Sequence, residues 1–136
     1  MPKSLTTAND TLDAFLRAVD PSWRAGATRC IALHTADPAN AGTQTTSEAT
    51  YTGYARVAVT AATGFSAASA GASQNTGLIQ FPQCTGGTNV ITHVSIGTAT
   101  TGAGQIIYRG ALNASLSVAN LIQPQFSIGS LTASEQ

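Results

Sequence analysis

Few side chains in this sequence could act on a substrate or hold a metal: Cys30 and Cys84, His34 and His93, and the carboxylates Asp10, Asp13, Asp20, Asp37, Glu48 and Glu135. Ser95, His93 and Asp37 can be drawn as nucleophile, base and acid, but most polar domains allow such a drawing and the spacing lends it no support. No G-x-S-x-G elbow occurs. The glycine-rich run Gly97 to Gly104 lacks the Lys-Ser/Thr pair with which a P-loop grips phosphate, and it reads as a hairpin turn. Neither histidine has partners at C-x-x-C or H-x-x-x-H spacing, so no metal and no cofactor is expected. Between Val57 and Ser134 the one charged side chain is Arg109, whereas about a quarter of a typical soluble domain is charged. A carboxylate pair or a phosphate-binding lysine cannot be assembled in such a stretch. No catalytic residue is assigned, and the chain reads as a non-enzyme whose surface is made to pack.

The elements that would position these residues follow from periodicity. Leu12, Phe15, Leu16 and Val19 recur at helical spacing and form one apolar stripe. Thr7, Asn9 and Asp10 are candidate N-caps, and Pro21 disfavours helical geometry at Asp20. From Arg29 onward the period is two, with β-branched runs separated by Gly, Asn, Ser and Pro. Strands are predicted at 29–34, 54–60, 66–70, 78–81, 89–97, 105–110 and 123–128, with a weaker one at 115–118. In 89–97 both faces are partly apolar, as expected for a strand buried on two sides. The segments 35–50 and 82–88 read as long loops, with Asp37 capping the first through its own backbone. The expected architecture is mostly β, a jelly-roll-like antiparallel β-sandwich with one short N-terminal helix. It forms a single domain over 1–136, with an arm and helix in 1–26 and the sandwich body in 27–136.

Composition narrows the partners. Six Lys and Arg balance six Asp and Glu, so no long-range field draws the chain to nucleic acid or an anionic membrane. The N-terminus lacks the apolar core of a signal peptide, and no stretch reaches the ~18 apolar residues that span a bilayer; synthesis and assembly in a cytoplasm, with free thiols, are expected. With so little charge, nothing repels one copy from the next, and life in an assembly is expected. Uncharged, Thr-rich strand edges need cover from the chain's own helix or from a neighbour. Trp23 with Arg24, and Tyr51 and Tyr54 with Arg56, combine the residue types that dominate protein interfaces, and they are the contact candidates. The N-terminal segment 1–8 is a further one.

The order of several short motifs is similar to that of small virion proteins of tailed bacteriophages. These are Ile31-Ala32-Leu33-His34-Thr35-Ala36-Asp37-Pro38, Gly53-Tyr54-Ala55-Arg56, Asn75-Thr76, Phe81-Pro82, Ile91-Thr92-His93-Val94-Ser95-Ile96-Gly97 and Tyr108-Arg109-Gly110-Ala111-Leu112. Together they run over nearly the whole chain. The loop 43–50 departs from the pattern, being less glycine-rich and less acidic, with only Glu48 remaining. The resemblance implies a virion structural protein, either a jelly-roll cement protein of the head, commonly a homodimer bridging capsomers, or a short tail-fibre protein. Weighing the two favours cement, because nothing in the chain reads as a coiled-coil or β-helical shaft. The implied partners are then the major capsid protein and a second copy of the chain, and the implied location is the outer capsid surface. A tail-fibre or adaptor protein that recognises host-surface glycan is the alternative.

Overall fold

The computed structural model describes residues 1–135 and is mostly β, with one N-terminal helix and antiparallel sheets. The helix α1 spans Leu5–Arg17; a single 3-10 turn follows at Ser22–Ala25. The strands are β1 (Thr28–His34), β2 (Val57–Thr60), β3 (Ala72–Gln74), β4 (Ile79–Gln80), β5 (Asn89–Gly97), β6 (Ile106–Val118), β7 (Gln125–Phe126) and β8 (Thr132–Ser134). One four-stranded sheet has the order β2-β1-β5-β6, and two short ribbons pair β3 with β8 and β4 with β7. All pairings are antiparallel.

The register sorts the sheet into two faces. Ile31 lies opposite Ile96 and Leu33 opposite Val94, and these side chains join Ile79, Phe81, Ile91, Val118 and Leu131 in the core, with Phe65, Tyr108 and Phe126 packed against it. The two ribbons thus supply the layer that faces the large sheet. On the opposite face Cys30, Ala32 and His34 alternate with the core residues, and they too are buried. Their cover is the loop after β1, which inserts Gln44 against the sheet: its Nε2 donates to the Cys30 carbonyl at 3.1 Å and its Oε1 accepts from the Ala99 N–H at 2.9 Å. A side chain on Gly97 or Gly104 would collide with Gln44, so the absence of a Cβ at both positions is what admits the plug.

Several expectations need correction. The helix starts earlier than the candidate caps implied, because Ser4 is the N-cap and its Oγ accepts from the Thr7 N–H at 3.3 Å. It ends at Arg17, where Ala18 turns left-handed (φ 55°) and the Val19 N–H closes on the Asp13 carbonyl at 3.2 Å. The stretch 66–70 is not a strand but is held by isolated bridges, and β3 begins just beyond it. The runs 105–110 and 115–118 are halves of one strand, β6. Ile91 faces Leu116 and His93 faces Ala111, so residues 112–115 bulge opposite the single residue Thr92. Such a bulge keeps a strand continuous where a sequence reading sees a break. The strand β8 went unpredicted, being three residues of weak pattern that pair only with β3.

Candidate interaction surface

The N-terminal arm is fastened to the body through polar groups. The Met1 ammonium donates to the Ser134 carbonyl at 2.7 Å, and Lys3 meets Glu135 at 2.7 Å. That lysine, followed by the Tyr108 hydroxyl, holds the Glu135 carboxyl below its usual range. The Arg109 N–H donates to the Pro2 carbonyl at 2.9 Å, so the arm covers part of the free edge of β6. Ser4 Oγ and Thr7 Oγ1 both donate to the Ile106 carbonyl, at 2.6 and 2.7 Å. Further along α1, Asp10 Oδ2 accepts from Trp23 Nε1 and from Gln105 Nε2, each at 2.8 Å.

These bonds turn the polar side of α1 inward. The apolar stripe therefore points away from the body: Phe15 is 80 % and Leu16 79 % exposed, and Leu5, Leu12 and Val19 about half exposed. An ordinary surface helix does the reverse, burying its apolar stripe on the core. Trp23 is half-buried beside the helix, and Arg24 is exposed and paired with Asp20.

The other contact candidates are used inside the chain. Tyr51 is buried, its hydroxyl donating to the Pro82 carbonyl at 2.9 Å, and burial pushes its pKa up to about 12. The Tyr54 hydroxyl accepts from the Leu33 N–H at 3.1 Å and donates to Glu48 Oε1 at 3.0 Å. Burial, and to a lesser degree the neighbouring Glu48 charge, raise its pKa, so it remains a donor. The Arg56 side chain is only 3 % exposed and grips Glu48 with two parallel bonds, Nε to Oε1 at 2.6 Å and Nη2 to Oε2 at 2.8 Å. Its remaining donors reach the carbonyls of Ala99 (2.9 Å) and Gly102 (2.7 Å), tying the β5–β6 turn to the loop after β1. The Glu48 bonds, which outweigh the opposing effect of burial, raise the Arg56 pKa. Nothing local in the sequence shows that Glu48, eight residues upstream, is the partner.

The residues with catalytic chemistry are also spoken for. Ser95 Oγ lies 2.8 Å from His34 Nε2, not on His93, while His34 Nδ1 lies 2.8 Å from the Thr46 carbonyl. A carbonyl only accepts, so the proton sits on Nδ1 and Nε2 accepts from the Ser95 hydroxyl. Both residues are completely buried. His93 Nδ1 lies 2.8 Å from Thr92 Oγ1. Asp37 Oδ1 accepts from the Ala39 N–H at 2.9 Å, which is the turn expected there, and it also pairs with Arg109. The Ala39 bond leads the causes that lower the Asp37 pKa. Arg109, the lone charge of the long uncharged stretch, also reaches Asn40 and so pins the loop to β6. Cys30 and Cys84 are buried and unpaired, and burial raises the Cys30 thiol. Among the described residues no three His, Cys, Asp or Glu converge as a metal site, and no helix is long and apolar enough to cross a membrane.

His34 carries a pH signature. Desolvation lowers its pKa, so below the ordinary value of about 6.5 the unfolded chain takes up a proton that the folded chain refuses. Stability is thus complete above that pH and falls as pH drops, by at most about 1.4 kcal/mol per unit for one proton. The lowered Asp37 and Glu135 act in the same direction but only in the carboxylate range, at more acid pH. Urea titrations from pH 7 to 5 are expected to show this slope in the native chain and a nearly flat profile in His34→Gln; equal slopes in the two would show that His34 is not the group responsible.

No curated protein matches the chain. A sequence model does: the one for the podophage GP4 fiber I protein gp80 matches residues 2–134, and the chain therefore belongs to this family of phage virion structural proteins.

Proposed function

We propose that the protein is a component of the virion's fibre apparatus that works by binding other virion chains rather than by chemistry. The observation that carries this reading is the family match over residues 2–134, whose name is that of a fibre protein. Supporting it, the polar residues with catalytic character are buried or engaged within the chain, while the two most exposed large apolar side chains, Phe15 and Leu16, lie side by side on one helix. Adhesion to a host-surface glycan would be a role of the assembled fibre.

The second reading, a cement protein on the outer capsid that clamps capsomers, is favoured by the shape of the chain. Among the described residues the one α-helix has 13 residues, and the Met1 ammonium bonds to Ser134, so the described body closes on itself rather than extending along one axis. A cement protein that binds only the assembled shell would stabilise it by mass action, through many weak contacts.

Quantitative mass spectrometry of purified particles separates the two. Copy numbers of a few per cent of the major capsid protein are expected for a fibre component. A ratio near one would instead establish decoration of the whole head.

A further inference from the structure

We propose that the outward apolar face of α1 is the seam on which a second copy of this chain docks, helix against helix. The proposal deepens the reading of a virion protein that works by contact with other chains, and rests on it only for the expectation that copies assemble.

The geometry of the helix points to an absent neighbour. Leu5 (57 % exposed), Leu12 (57 %), Phe15 (80 %), Leu16 (79 %) and Val19 (48 %) share one side of α1 and the turn after it. With Ala8 included, the helical positions 5, 8, 12 and 15 alternate steps of three and four, the spacing of a two-helix seam, and Val19 follows just past the left-handed Ala18. The opposite side, through Thr7 and Asp10, is bonded to Ile106, Gln105 and Trp23. The helix therefore cannot roll its stripe onto the core without breaking those bonds. It is also held in place before any partner arrives, which removes the ordering cost that a free 13-residue helix would carry.

Two observations identify the occupant as another copy. Taking roughly 200 Å² for a large apolar side chain, the five residues expose on the order of 600 Å², at the top of what monomers leave open and close to the ~800 Å² that each partner contributes to a stable interface. The seam is also self-compatible. Asn9, Thr11 and Ala18, which flank it, are uncharged, and the nearby charges Asp13 and Arg17 neutralise each other at 3.2 Å on the same helix. Beside Ala8, Lys3 is likewise paired with Glu135 at 2.7 Å, so identical helices brought together around a two-fold axis meet charges that are mostly paired within each chain, and each apolar position finds an apolar one. Leu12 is the midpoint of the stripe and would meet its own counterpart near that axis.

Analytical ultracentrifugation of the full chain across the micromolar range tests this. The native protein is expected to sediment as an assembly, and Phe15→Glu/Leu16→Glu as a monomer at every concentration, with the far-UV spectrum unchanged because both side chains are exposed in the single chain. A second variant probes the seam without adding charge: Leu12→Cys is expected to form a disulfide-linked dimer on mild oxidation, Cys30 and Cys84 being buried. A native protein that is monomeric throughout, an assembly that survives the double substitution, or no cross-link in Leu12→Cys would overturn the proposal. None of these results depends on the copy number in the particle, so the seam and the fibre assignment can fail separately.

Discussion

Arg56→Ala is expected to lower the free energy of unfolding by about 3 kcal/mol, the lower end of the range for breaking a buried ion pair. Two losses combine. The Glu48 carboxylate keeps only the Tyr54 hydroxyl, at 3.0 Å, as a side-chain donor, in a place where 17 % of its side chain touches water. The carbonyls of Ala99 and Gly102 lose the guanidinium that held the β5–β6 turn. The slight exposure of Glu48 is why the lower end applies, since water can partly resolvate the stranded charge. At roughly 3 °C per kcal/mol for a domain of this size, the melting temperature falls by about 10 °C. Arg56→Met combined with Glu48→Gln is expected to recover much of the loss, because it removes the charges together. A single-variant loss below about 1 kcal/mol in chemical denaturation would mean that the pair behaves as an exposed one.

Phe81→Ala is expected to be at least as costly, about 3 to 5 kcal/mol, as for other aromatic truncations in cores. Phe81 is fully buried and links the β4–β7 ribbon to the loop before β2 through aromatic contacts. Its ring stacks on Tyr54 with centroids 6.3 Å apart and planes at 10°, and meets the edge of Phe126 at 6.3 Å and 67°. Tyr54 in turn meets Tyr51 at 5.4 Å. Truncation opens a cavity that the two-residue ribbon of β4 and β7 can close only by giving up its register, because these strands have little else to pair with. Equilibrium unfolding in guanidinium measures the loss. A value under 2 kcal/mol, with the near-UV aromatic spectrum unchanged, would show that the ribbon collapses into the gap and that the aromatic contacts contribute little.

Residue types and periodicity were sufficient for the class of fold. The burial on both faces read in 89–97 holds from Val94 to Gly97, whereas Val90 is 53 % exposed and Ile91 joins Val94 and Ile96 in the one core, because the irregularity opposite Thr92 interrupts the period of two. The Asp37 turn and the glycine-rich hairpin are legible because they are local geometry. The continuity of β6 is not legible in the sequence for the converse reason. Whether the residues between 110 and 115 end a strand or bulge from it depends on the partner strand, with Thr92 about twenty residues away in sequence.

The contact candidates divide along the same line. Residue type marks Trp23, Arg24, Tyr51, Tyr54 and Arg56 as contacts, but type does not say which side of the surface a ring or a guanidinium takes. Arg56 points inward because the fold brings Glu48 and two turn carbonyls within reach of it, and Tyr51 and Tyr54 go with it into the core and its edge. Trp23 and Arg24 stay at the surface beside α1. The stripe Leu12, Phe15, Leu16 and Val19 was legible in the sequence from its spacing alone. Its direction was not, since a helix has two sides and the period is the same whichever one faces the body. Only the tertiary bonds from Thr7 and Asp10 to Ile106, Gln105 and Trp23 turned the polar side inward and left the apolar side for a neighbour.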